Sequence, residues 1–320
     1  MTLGTLALYS GLASVVTKLG VIGLSEGNGH PFSFSAIING FDEKCMRKSG
    51  WDVIYNYLKV RDSSEFGILD AKVTHCWTQS EEITLALSEA CKIDNPVKNI
   101  EEMLTQIDGV IIARDDQESH FPIAKLFLEK GIAVFIDKPL TLNSDELSYF
   151  LPFIEKGFLM STSSFRYADE VKEAKRHFCG SHPAFFRGTI LNDWEKYGIH
   201  LIEGFSTLTD FDPVAVEYQS GYFDCYFIYL KNEDVIQINC MGDAGPLFLM
   251  EIIAKNHYSS FQVKDNFSMF KKMLWHFIYS IRTNIPPIDA EITSNMMKVL
   301  IAGAASKKEQ RRVFLHEIKI

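Results

Sequence analysis

The apolar residues of this chain fall into short unbroken runs that alternate with stretches of helical spacing. Leu19-Gly-Val-Ile-Gly-Leu is such a run; it stops at Ser25-Glu-Gly-Asn-Gly-His-Pro, and apolar positions at helical spacing follow from Phe32 to about Asn39. The pattern predicts a strand, a glycine-rich turn and a helix, with Pro31 at a first helical position where its missing N–H costs nothing. Ala71 to Trp77 reads as a second strand, Ser80 to Cys91 as a helix N-capped by Ser80, and Ile100 to Gln106 as another helical segment. Gly109-Val-Ile-Ile-Ala has the continuous apolar character of a buried parallel strand, and a helix from Phe121 to Lys130 and the strand Ala133-Val-Phe-Ile follow it. Several βα units in series predict a doubly wound parallel sheet, whose ligands sit beyond the carboxyl ends of the strands.

After Leu142 the texture changes. Ala184 to Leu191, Val214 to Ser220, Tyr222 to Leu230 and Val235 to Cys240 read as longer strands joined by turns, and helices near Met269 to Arg282 and Ile292 to Lys307 close the chain. The expected architecture is an N-terminal Rossmann domain, 1–141, followed by an α+β domain, 142–320, built on a mostly antiparallel sheet. The stretch from Phe41 to Asp70 is irregular and longer than an ordinary connection, so it reads as an insertion that carries function or an oligomer contact.

Length agrees with this division, since 320 residues exceed what one core serves and 47% hydrophobic residues fill two. A net charge of −9 with 23% charged residues favours solubility and speaks against nucleic acid or anionic lipid as partner. The six cysteines lack metal-ligand spacing and read as reduced thiols of a cytoplasmic protein, with neither structural zinc nor disulfide expected. The apolar opening, Met1 to Val16, has no basic region before it and reads as a short extension or a misassigned start rather than a signal peptide. No run reaches the roughly 18 apolar residues of a membrane span.

Candidate chemistry gathers at the predicted strand ends. Gly23, Gly27 and Gly29 either cradle a pyrophosphate at a helix N-terminus or form an ordinary tight turn, because Ser25 and Asn28 stand where G-x-G-x-x-G would require glycine. The second strand ends in His75-Cys-Trp-Thr-Gln-Ser, without the acid or arginine that separates NAD from NADP, although Thr78 and Ser80 offer hydroxyls to a ribose or phosphate. The third long strand ends in Asp115, Asp116, Glu118 and His120, and the fourth in Asp137-Lys138-Pro139. Read from periodicity alone, Lys138 is either a solvated charge or a residue at the mouth of a site. In Asn192-Asp-Trp-Glu-Lys-Tyr-Gly-Ile-His-Leu-Ile-Glu, a helix would set Lys196 and His200 on one face with Glu203 beyond. That face either transfers a proton or packs a satisfied histidine in an interface.

Taken in order, these pieces resemble the glucose-fructose oxidoreductase and inositol dehydrogenase (Gfo/Idh/MocA) family from about Lys18 to the C-terminus. The carriers are Asp108-Gly-Val-Ile-Ile-Ala with His120, Asp137-Lys138-Pro139 where the family has E-K-P, and Gly198-Ile-His200-Leu-Ile-Glu203. The closing Ile285-Pro-Pro-Ile-Asp and the helix from Lys298 fit as well. The resemblance implies an NAD(P)-dependent oxidoreductase that moves hydride between the cofactor and a secondary hydroxyl of a sugar or polyol. It implies that Lys138 sits by the nicotinamide and the reacting hydroxyl, and that His200 exchanges the substrate proton. Gly23, Ser25, Gly27 and Gly29 would lie near the pyrophosphate, and Ala113, Arg114 and Asp115, with His120 and Asp137, near the ribose and nicotinamide. The substrate would meet Lys138, Arg166, Trp194, Lys196, Tyr197 and His200.

Lys196 departs from the pattern, since many members carry aspartate four residues before the histidine. Either it contacts an anionic substrate group or it shares acid-base work with Lys138 and His200, two close ammonium groups favouring a neutral amine. A homo-oligomer, dimer or tetramer, is expected from the open face of the second sheet. Two alternatives stand beside this reading: a non-catalytic sugar or cofactor sensor on the same fold, and an enzyme whose tightly held cofactor recycles in place.

Overall fold

A computed structural model describes residues 16–178, 180, 182–245 and 247–320; the opening extension and Cys179 lie outside the described residues. The first sheet contains six parallel strands in the order β3-β2-β1-β4-β5-β6. They are β1 (Thr17–Ile22), β2 (Ala71–Trp77), β3 (Asn95–Pro96), β4 (Gly109–Ile112), β5 (Ala133–Ile136) and β6 (Leu159–Ser161). Every residue of β4 and β5 is buried, the burial on both faces that their unbroken apolar runs predict. Helices α1 (His30–Asn39), α2 (Glu43–Lys48), α3 (Asp52–Leu58), α4 (Glu81–Ala90), α5 (His120–Leu128) and α6 (Ser144–Glu155) belong to this unit. Ser80 accepts from the Ile83 amide at the start of α4, as predicted, and Asn143 accepts from the Asp145 and Glu146 amides at the start of α6. The strand order reverses between β1 and β4, which makes the carboxyl ends of those two strands the place for a ligand.

Two expectations change here. The parallel sheet does not end at 141: β6 pairs with β5, Val134 facing Leu159, so α6 and β6 belong to the first unit. The irregular stretch 41–70 contains the two short helices α2 and α3, with Met46, Ile54, Tyr55 and Leu58 buried; α2 packs on α4 and α3, and α3 on α1. With six and seven residues they are too short to show more than one apolar repeat each.

The second unit carries a seven-stranded sheet, order β12-β11-β7-β10-β9-β8-β13, antiparallel except where β10 runs parallel to β7. Its strands are β7 (Ala184–Ile190), β8 (Pro213–Gln219), β9 (Asp224–Leu230), β10 (Val235–Cys240), β11 (Phe248–Ala254), β12 (His257–Gln262) and β13 (Val313–Phe314). Its helices are α7 (Asp169–Phe178), α8 (Ile199–Ser206), α9 (Asn266–Thr283) and α10 (Ala290–Glu309). Helix α9 returns to the first unit, where Phe270 meets Phe34 edge-on, Phe277 meets Phe135, and Arg282 donates to the Thr17 hydroxyl at 3.0 Å. The two units are thereby locked by a shared apolar layer on the side of α1, and the loops at the carboxyl ends of β1, β4 and β5 meet α8 and the turn before it.

Candidate active site

The turn after β1 is pinned from several sides. The Gly23 amide donates to the Trp77 carbonyl at 3.0 Å, and Gln79 pairs with both backbone groups of Leu24, at 2.7 and 2.8 Å. A Cβ on Gly23 would meet the Pro31 ring at 2.4 Å, and one on Gly29 would meet Ile54 and Trp51 at 2.5 and 2.6 Å. These two glycines are required by close packing of strand, helix and α3. Gly27, at φ +76°, has open space where a Cβ would stand and makes the left-handed step of the turn.

The non-glycine positions of the turn face the strand ends. Asn28 donates to Asp137 Oδ2 at 3.0 Å, and the same oxygen lies 2.5 Å from His30 Nδ1. The other carboxylate oxygen accepts from the Lys138 amide at 2.9 Å. Burial works against the charge on Asp137, but His30, Lys138 and the bond from Asn28 outweigh it and hold the carboxyl well below its usual range. The His30 ring is sandwiched between Phe34, stacked at 4.7 Å, and the edge of Phe270 at 5.2 Å.

Lys138 is 4% exposed, which rules out the reading of a solvated charge. Its ammonium lies 3.8 Å from Asp115 Oδ2 and 5.0 Å from the centre of the Tyr197 ring. Asp115 is also enclosed: Ser25 donates to its Oδ1 at 2.5 Å, its own amide donates back to the Ser25 hydroxyl at 3.0 Å, and Lys196 Nζ lies 3.3 Å from Oδ2. The expected clash of two ammonium groups therefore does not arise, because a carboxylate stands between Lys138 and Lys196. Tyr197 covers the pair; burial, with the Asp115 charge adding, pushes its phenol up and keeps it protonated.

His200 opens the first turn of α8, just after the π-helical turn Trp194–Gly198 that carries Lys196 and Tyr197. Its Nδ1 lies 2.7 Å from Ser163 Oγ, and its ring packs at 5.0 Å from Phe165 and 5.2 Å from Tyr197. Burial, reinforced by the Lys138 charge, pushes this imidazole well below the usual value of 6.5, so it is neutral near pH 7. A histidine held neutral in the fold but titrating freely when unfolded contributes its full stability above pH 6.5 and loses it as pH falls. The wild-type unfolding free energy from urea titrations should thus fall more steeply than that of His200→Asn between pH 6.5 and 5, by up to about 1.4 kcal/mol per pH unit. Parallel slopes in the two proteins would contradict the assignment.

Several expected site residues also make contacts within the fold. Trp194 is 1% exposed, stacked on Tyr226 at 4.1 Å and donating to the Leu300 carbonyl at 2.9 Å, so it anchors the π-turn. Arg166 is spent on Glu203 at 2.6 Å and on the Ser206 hydroxyl, and Glu203 also accepts from the Ser163 amide. His120 is fully buried between the carbonyls of Leu140 and Arg114, and ties the β4 and β5 ends together. Ala113 is fully buried and its amide bonds to Ile22. Thr78 turns its hydroxyl inward to the Ser80 carbonyl and Thr84, Ser80 caps α4, and Arg114 clasps Asp116.

Conversely, His30, Asn28 and Ser163 are site residues that pattern reading passed over. The signals were present: His30 follows the glycine turn directly, and Ser161-Thr-Ser-Ser stands at the carboxyl end of β6.

Comparison with known proteins bears on the fold. The Gfo/Idh/MocA family model, described as an oxidoreductase family with an NAD-binding Rossmann fold, matches residues 52–156, which upholds the resemblance seen in the sequence. Among solved structures, apo scyllo-inositol dehydrogenase from Lactobacillus casei has a TM-score of 0.75 at 13% identity, over 95% of this chain and 100% of that one. A probable dehydrogenase from Thermotoga maritima scores 0.73 at 15% identity, over 94% and 100%. Myo-inositol dehydrogenase from L. casei, in complex with NAD(H) and myo-inositol, scores 0.72 at 15% identity, over 96% and 98%. At these identities the likeness is one of fold. No curated protein sequence matches the chain.

Proposed function

We infer that this chain, a Gfo/Idh/MocA oxidoreductase with an NAD-binding Rossmann domain, transfers hydride between NAD and the carbon of a secondary hydroxyl on a polyol or sugar. The observation that carries the reading is the buried Lys138, set between two carboxylates at the strand ends and facing the second unit that bears a neutral His200.

The residues present fit a dinucleotide. The turn 23–29 lies at the switch point between β1 and β4, the first turn of α1 carries no acidic residue against a pyrophosphate, and Gly27 leaves open space. Gln117 Oε1, two residues beyond Asp115, is buried without a hydrogen-bond partner and is available to a ribose hydroxyl. When bound, the nicotinamide supplies the hydride chemistry. The chain supplies position and charge. Lys138 donates to the reacting oxygen and stabilises the negative charge that grows on it. His200, neutral, accepts the hydroxyl proton at Nε2, with Nδ1–H directed to the Ser163 oxygen that fixes the ring. In the reverse direction the same two groups protonate a ketone.

A polyol is preferred as substrate because the fold is shared with inositol dehydrogenases over nearly the whole chain. The outward face of the second sheet, where Phe227 and Tyr229 of β9 lie beside Gln237 of β10, is the surface on which a second copy would pack. A cytoplasmic setting rests on the five described cysteines being free thiols; among the described residues no helix is long and apolar enough to cross a membrane.

Cofactor binding tests the reading without knowledge of the substrate. At a hundred times its dissociation constant, NAD(H) should raise the apparent stability of cofactor-free protein by about 2.7 kcal/mol in a thermal or urea transition. A folded, cofactor-free protein that responds to neither NAD(H) nor NADP(H) would refute it.

A further inference from the structure

The two positions at which the glycine turn departs from G-x-G-x-x-G are the two whose side chains reach the carboxylates flanking Lys138. Ser25 donates to Asp115 at 2.5 Å and Asn28 to Asp137 at 3.0 Å. The third departure, Lys196 in place of an aspartate, meets the same Asp115 at 3.3 Å from the opposite side of the cleft. Three changes of residue type thus converge on one arrangement.

We propose that Asp115 is the positioning carboxylate of Lys138, delivered from the end of β4, clamped by Ser25 of the cofactor turn and shared with Lys196 of the second unit. This deepens the oxidoreductase reading, on which it rests. The carboxylate comes from the cofactor-binding unit, and a lysine of the second unit lies over it. Asp115 is nearly inaccessible, with an 8% exposed side chain, whereas Lys196 is 42% exposed, so the carboxylate is the enclosed member and Lys196 the exposed one. In consequence the cofactor turn, the active lysine and the second unit are linked through a single side chain. A substrate entering the cleft meets an ammonium group whose direction is already set, which is how a fixed neighbour raises the rate of proton and charge transfer.

The groups that face Lys138 come from every neighbouring element. Asp115 lies at the end of β4, Asp137 precedes Lys138 on its own loop, His30 opens α1, Lys196 and Tyr197 stand on the π-turn, and His200 opens α8. Among them Asp115 and Lys196 act on Lys138 with opposite sign. Removing the carboxylate leaves two ammonium groups facing each other; removing Lys196 leaves Asp115 wholly to Lys138.

The test is trace acetylation of the full-length protein with acetic anhydride at one mildly alkaline pH, with the rate at Lys138 read by mass spectrometry, since only the neutral amine reacts. No substrate or turnover is needed, so failure here is distinguishable from failure to bind NAD. The reaction rate at Lys138 should rise roughly tenfold in Asp115→Asn, fall below wild type in Lys196→Met, and return towards wild type in the double variant. Ser25→Gly, which loosens the clamp without touching a charge, should move the rate part of the way towards Asp115→Asn and serves if that variant does not fold. A purely structural Asp115 would open the site, so Lys138 would react faster in all three charge variants, Lys196→Met included. That outcome, or no change in any, overturns the proposal.

Discussion

Lys138→Met should lower kcat for polyol oxidation by roughly 10³-fold while leaving NAD affinity within a few-fold of wild type. An ammonium group 4% exposed is not placed at a strand end for solubility, and here Asp137, Asp115 and the face of Tyr197 surround it. Methionine keeps the length and apolar stem of the side chain but removes the proton that binds the reacting oxygen. It also leaves two enclosed carboxylates with one positive neighbour fewer, so stability should fall as well. Lys138→Arg separates the two effects, because it keeps the charge and alters the geometry: stability should recover while turnover stays low. A loss of kcat below tenfold in folded Lys138→Met, read from steady-state rates, would remove Lys138 from the chemistry.

Trp194→Ala should cost about 3 to 5 kcal/mol in urea unfolding, the largest loss of stability expected from any single truncation near the site. Trp194 lies flat on Tyr226, 18° from parallel, and its ring fills the space beside Gly303 of α10, where a Cβ would meet it at 2.4 Å. The indole therefore joins the second sheet, α10 and the start of the π-turn in one contact. Because Lys196 and Tyr197 ride on that turn, the variant should also lose activity through disorder of the lysine and of the ring that covers Lys138. An effect below about 1 kcal/mol would mean that the turn is held elsewhere.

Much of the fold was legible because burial on both faces of a strand leaves an unbroken apolar run, as in Val110-Ile-Ile and Val134-Phe-Ile. What stayed hidden was what pattern cannot carry. Strand β6 shows only Leu159-Met-Ser, three residues whose identity as a strand comes from pairing with β5. Helices α2 and α3 are too short to display a period. In the site, Lys138 and His200 are marked by motif resemblance, whereas the burial of Trp194 and the pairing of Arg166 with Glu203 are not, because an aromatic or an arginine near a motif gives no sign of which way it turns. The roles of Asn28, His30 and Ser163 come from convergence of β1, β5, β6 and α8 in space, and each is an ordinary polar residue in the text of the chain. Asp115 was visible as an acid at a strand end, but its position between two lysines required the structure.

The most direct measurement of the central claim is the near-ultraviolet absorbance of reduced nicotinamide when purified protein is mixed with NAD and a panel of inositols, hexoses and sugar acids. Reduction is expected with at least one of them, abolished in Lys138→Met and strongly slowed in His200→Asn. Protein that binds NAD with the expected gain in stability yet reduces none with any member of the panel, in either direction, would contradict it and leave a cofactor sensor in its place.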